Sequence, residues 1–182
     1  MRELSLHILD LLMNSIEANA SRVILCIRES EKENRLQFIV RDNGKGMSAE
    51  MIELALDPFV TSRKTRSVGM GLALLRQVAS QCGGDVELTS AIGKGTQVSV
   101  TMELNHINRM PLGNCAVTLV NTMIGNLDVH FYYLHKTDSG LFPFDSFWLL
   151  AEMDRRGCQA HELVDEATEI IRNGLQKIKS QA

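Results

Sequence analysis

Apolar positions along the chain recur with two periods, and the changes of period mark the elements. Leu4, Ile8, Leu11, Leu12 and Ile16 form one stripe at helical spacing and predict a helix over residues 1–20. Asp10, Asn14 and Glu17 share a neighbouring face of that helix, because positions i, i+4 and i+7 align. Residues 22–28 and 34–41 read as strands on either side of a polar turn, ESEKEN, with Leu36, Phe38 and Val40 alternating onto one face. DNGKGM, residues 42–47, carries turn signals, and Ser48 with Met51, Ile52 and Ala55 predicts a short capped helix. Residues 57–69 contain Pro58, three basic residues and Gly69 and read as a loop. Leu72, Leu75, Val78 and Ala79 predict a helix over 70–82 that Gly83 and Gly84 close. Residues 85–90 and 96–103 predict a second strand pair, joined by AIGKGT.

The pattern changes near residue 105. Phe131, Tyr132, Tyr133, Phe142, Phe144, Phe147 and Trp148 concentrate in the second part. The spacing predicts a helix over 112–124, a hairpin of 129–136 and 141–144 around DSG, and helices over 145–156 and 160–179. The chain therefore divides at residue 104 into a first unit, 1–104, and a C-terminal extension, 105–182. The aromatic cluster reads as the core of this extension, with an exposed partner patch as the other reading.

Charge and composition remove several classes. With 19 Lys+Arg against 22 Asp+Glu the net charge is −3, so no basic excess exists to neutralise phosphates, and nucleic-acid binding is not expected. No apolar run reaches the ~20 residues of a membrane helix. The start, MRELSLHILD, does not read as a signal peptide. Cys26, Cys82, Cys115 and Cys158 lie far apart without CxxC spacing, which predicts free thiols in a reducing cytoplasm and neither zinc nor disulfides.

Three glycine segments occur in order: DNGKGM, GMGL and GKGT. A glycine loop that feeds a helix N-terminus is an anion site, because backbone N–H groups point outward and the helix dipole favours phosphate. The order of these segments resembles the Bergerat-fold ATPases, which include histidine kinases, type II topoisomerases, mismatch-repair MutL proteins and a heat-shock chaperone. LDLLMNSIEANAS resembles the N box and VRDNGKGM the first glycine box. DPFVTSRKT, followed by SVGMGLALLRQVASQCGGDVELTSAIGKGTQVSVTMEL, resembles the histidine-kinase F box and the second and third glycine boxes.

The resemblance implies an α/β two-layer sandwich: a mixed, largely antiparallel sheet with helices on one face, here with a small C-terminal α/β appendage. It implies ATP and Mg²⁺ as ligands. Asp42 would accept a hydrogen bond from the adenine amino group. Gly44 and Gly46 would bring the loop against the base, Met47 would pack on it, and Thr96 would help hold it. Asn14 would bind the magnesium through its amide oxygen. Lys64 would reach the terminal phosphate, and Gly69, Gly71 and Leu72 at the start of the next helix would hold the phosphates.

Two positions depart from that pattern. Asp10 stands where the family usually has Glu four residues before the magnesium Asn; in the hydrolysing branches that acid is the general base, and Asp is one methylene shorter. The lid between Phe59 and Gly69 has only nine residues, Val60 to Val68. The N box begins almost at the first residue, which leaves no room for the phosphoacceptor hairpin of histidine kinases. His7 reads as a partly exposed helix residue; His106, His130, His135 and His161 read as ordinary polar residues. Three functions remain open: a kinase-like regulator acting on or through a separate protein, a slow ATP hydrolase with Asp10 as base, and a nucleotide-gated interaction module. The serine-kinase relatives of anti-sigma type suggest a homodimer.

Overall fold

A computed structural model describes residues 3–56 and 71–182. The elements, in chain order, are α1 (Leu4–Glu17), β1 (Arg22–Ser30), β2 (Arg35–Asp42), α2 (Ala49–Leu56), α3 (Gly71–Gln81), β3 (Asp85–Ala91) and β4 (Gly95–Glu103). Then follow α4 (Cys115–Ile124), β5 (His130–Thr137), β6 (Gly140–Asp145), α5 (Phe147–Arg156), a 3-10 turn (Ala160–Leu163) and α6 (Val164–Lys177). No helix among the described residues is long and apolar enough to cross a membrane.

The six strands form one sheet in the order β3-β4-β2-β1-β5-β6. Every neighbouring pair is antiparallel except β1 and β5, which run parallel. Val23, Leu25 and Ile27 of β1, Leu36, Phe38 and Val40 of β2, and Val98, Val100 and Met102 of β4 are buried on one face. They share a single core with Leu4, Ile8, Leu11 and Leu12 of α1, Leu72 and Leu75 of α3, and buried residues of α4 and α6. The helices thus cover one side of the sheet. Burying each such side chain is worth about 1.5–3 kcal/mol.

The segment after residue 105 carries the helix, hairpin and helices that its pattern predicts, but its hairpin lengthens the sheet of the first unit. β5 runs beside β1 from the Arg22–His130 pair to the Arg28–Lys136 pair. The same segment caps α1, which lacks a side-chain cap of its own. The orphan N–H groups of Leu4 and Ser5 donate to the carbonyls of Pro111 and Leu112, at 3.0 and 2.8 Å.

A polar cluster inside the sheet ties β1, β5 and the C-terminal tail. Glu29 is 5 % and His135 0 % exposed. His135 Nε2 lies 2.6 Å from Glu29 Oε1, and its Nδ1 lies 2.5 Å from the Tyr133 hydroxyl. The Ser180 hydroxyl and the Gln181 N–H donate to the same carboxylate. His135, a polar residue without ligand spacing in the sequence, is buried here as a partner of this carboxylate. A buried carboxylate demands partners, and histidine is one of them.

Candidate functional site

β2 ends at Asp42, 8 % exposed on the helix-covered side of the sheet. Three donors hold its carboxylate. Oδ1 accepts from the N–H groups of Gly44 (2.8 Å) and Thr96 (3.2 Å), and Oδ2 faces the Ser15 hydroxyl at 3.1 Å. Each carboxylate oxygen carries two lone pairs, so acceptor capacity remains on Oδ2 for a further donor.

The glycine loops pack backbone on backbone around this residue. Gly46 has φ +68°, and a Cβ there would lie 1.9 Å from the Ala91 carbonyl oxygen. A Cβ on Gly44 would lie 2.7 Å from the Ala18 oxygen. The Lys45 N–H donates to the Ala18 carbonyl, and the Gly93 N–H donates to the Lys45 carbonyl. Met47 is held by a bond from its N–H to Ser90 Oγ. The first and third glycine segments therefore form one wall. Thr96 meets Asp42 through its backbone, while its hydroxyl pairs with Ser90 at 2.9 Å.

Above Asp42 lies a cavity of about 280 Å³. Val40 and Val98 line it from the sheet; Leu11, Asn14, Ser15 and Glu17 of α1, with Ala18, form one side; Lys45, Gly46, Met47 and Met51 form another; Leu72 and Thr96 complete it. The structure thus brings together Asn14, Asp42, Gly46, Met47, Leu72 and Thr96. Gly44 lies behind the wall. Gly71, the first residue of α3, abuts the side chain of Asp10, and a Cβ on it would stand 3.4 Å from Asp10 Oδ2. Neither residue lines the cavity itself. Lys64 and Gly69 lie outside the described residues.

Ser15 carries no motif signal of its own in the sequence. It falls four residues after Leu11 on the apolar stripe, and a polar residue there has to find a partner. His7 also differs from expectation: it is 1 % exposed, and its Nδ1 has no hydrogen-bond partner among the described residues. Burial lowers the pKa of its imidazole below the ordinary value, against the pull of the Asp10 charge. No group of three or more His, Cys, Asp or Glu among the described residues is placed to hold a metal ion. A magnesium ion that keeps its water and takes phosphate oxygens needs no such cluster, and the Asn14 amide oxygen suits it.

A largely apolar slot with an anchored carboxylate at its base is suited in shape and chemistry to a flat ring that carries an amino group. Residues 2–106 match the family described as histidine kinase-, DNA gyrase B-, and HSP90-like ATPase. The chain belongs to this family. The sensor histidine kinase ZraS of Escherichia coli O157:H7 is 29 % identical over 106 residues, covering 58 % of this chain and 23 % of that protein. Sporulation kinase D of Bacillus subtilis is 31 % identical over 98 residues, covering 54 % and 19 %. The chain spans about a fifth of the length of these relatives. The N-terminal domain of a DNA repair protein has the same fold, with a TM-score of 0.50 at 20 % identity over 80 % of this chain and 52 % of that one.

Proposed function

We propose that the chain binds Mg²⁺ and ATP in the Asp42 cavity and acts on, or through, a separate protein. The observation that carries the reading is the anchored Asp42 carboxylate. With three protein donors fixing it, the carboxylate cannot rotate away, and its free lone pair selects a ring that offers an amino hydrogen. Asn14 would hold the magnesium, whose charge offsets that of the phosphates. The α3 N-terminus at Gly71 presents N–H groups and a positive dipole end to them. Phosphoryl transfer to an acceptor protein asks mainly for such positioning. The identity to two kinases supports this reading.

Asp10 beside Gly71 favours a second reading, slow hydrolysis, since phosphates held at that helix end would lie near its carboxylate. The deciding experiment has two parts. ATP and GTP affinities are compared for the wild type and Asp42→Asn, which presents an amide where the carboxylate stood. The expected outcome is ATP preference in the wild type and its loss in the variant; equal affinities in both would end the proposal. Incubation with γ-labelled ATP then separates the readings. Free phosphate that disappears in Asp10→Ala marks a hydrolase, whereas stable bound ATP marks a chain that serves a partner.

A further inference from the structure

The face of the sheet turned away from the helices carries a pattern that nucleotide binding does not use. The strand register sets Ile24 beside Tyr132, and Cys26 between Ile39 and Leu134. These five side chains are only half-buried, and none of them forms the core or packs against it. Cations border them at both ends: Arg22 and Arg41 on one side, Arg28 and Lys136 on the other. On this face β1, β2 and β5 present no carboxylate, in a chain whose net charge is −3. Arg28 pairs with Glu33, but Arg22, Arg41 and Lys136 form no ion pair among the described residues.

The size of the apolar patch limits what fits it. Three strands at about 4.8 Å spacing make it about 10 Å wide, and two rows of side chains on one face lie about 7 Å apart. That is the footprint of a single helix, about 10 Å across with its side chains. A second copy of this chain laid face to face would set Arg28 and Lys136 against like charges, which opposes self-pairing.

We propose that this face docks an amphipathic helix of a partner protein, one whose apolar stripe is bordered on both sides by Asp or Glu. The stripe would cover Ile24, Cys26, Ile39 and Leu134, and the carboxylates would meet the bordering cations. The inference stands apart from the nucleotide reading, because Asp42 and its cavity lie on the opposite face. Docking there leaves the nucleotide cavity open.

The test uses two labelled synthetic helices with the same leucine stripe, one bordered by glutamates and one by lysines. Their binding to the full chain is followed by fluorescence anisotropy and by amide chemical shifts. The glutamate helix is expected to bind, more weakly as salt rises, with shifts confined to β1, β2 and β5. The Arg28→Glu/Lys136→Glu variant is expected to lose roughly tenfold in affinity for it and to gain the lysine helix. Both exchanged side chains lie outside the core, so an unchanged thermal midpoint checks the fold of the variant. Equal binding of the two helices, indifference to the charge reversal, or shifts centred elsewhere would each overturn the proposal. So would a wild-type dimer in sedimentation that the variant disperses, since the face would then serve a second copy.

Discussion

Ser15 Oγ on α1 lies 3.1 Å from Asp42 Oδ2 at the end of β2 and 3.2 Å from the Leu11 carbonyl. Its one proton is drawn to the charged acceptor, since a carboxylate makes the stronger bond. This contact joins the helix that carries Asn14 to the strand that carries Asp42. Ser15→Ala removes one of three donors to that carboxylate, a loss of about 1 kcal/mol. ATP affinity measured by calorimetry is expected to fall roughly fivefold. An unchanged affinity would mean that Gly44 and Thr96 hold Asp42 unaided.

Gly46 and Gly93 both have positive φ, +68° and +73°, yet differ in what surrounds them. A Cβ on Gly93 meets nothing within 4 Å, so Gly93→Ala costs only the left-handed backbone, about 1–2 kcal/mol. At Gly46 the Cβ runs into the Ala91 carbonyl and forces two glycine segments apart, which adds about 1–3 kcal/mol. Thermal unfolding is expected to lose several degrees more for Gly46→Ala than for Gly93→Ala. Only the former is expected to weaken ATP binding. Equal losses would show that the two segments can separate freely.

Glu29 makes stability depend on acid. Burial pushes its carboxyl up, but hydrogen bonds from His135, Ser180 and the Gln181 N–H outweigh this and hold it below the ordinary value. A carboxyl that is lower in the folded state contributes stability above its unfolded pKa, near 4.3, and loses it as pH falls through the folded value. Urea unfolding at pH 7 and pH 3 is expected to show this loss in the wild type and a smaller one in Glu29→Gln. The same acid sensitivity in both proteins would place its origin elsewhere.

How much was legible in the sequence depended on the range of the interaction. The boundaries of α1, β2, α3 and β4 came within a few residues because period and turn chemistry are local. Asn14, Asp42, Gly46, Met47 and Thr96 could be placed because each sits in an ordered motif, and the fold brings those motifs to one cavity. The pairing of β5 with β1 was hidden, since parallel register depends on contacts more than 100 residues apart and leaves no turn signal. The Glu29–His135 pair and the capping of α1 by Pro111 and Leu112 were hidden for the same reason. His7 misled because its place on the helix face gave no measure of what packs against it.

His7 provides a second pH effect, in a different window. It is buried on α1 with its Nδ1 unpaired among the described residues, and burial lowers its pKa. A histidine lowered in the folded state takes up its proton first in the unfolded chain. Its contribution is therefore present above the unfolded value, near 6.5, and lost as pH falls through about 6.5 and below. His7→Leu removes both the proton site and a desolvated nitrogen that no bond among the described residues repays, so stability at pH 7.5 is expected to stay equal or rise. Urea unfolding at pH 7.5 and 5.5 checks both parts: the wild type should weaken between the two, and the variant should weaken less. If His7→Leu instead costs more than about 1 kcal/mol at pH 7.5, its ring is making a contact that a leucine cannot replace. The direct test of such a contact is then ATP affinity, because Asp10 stands one turn further along the same helix.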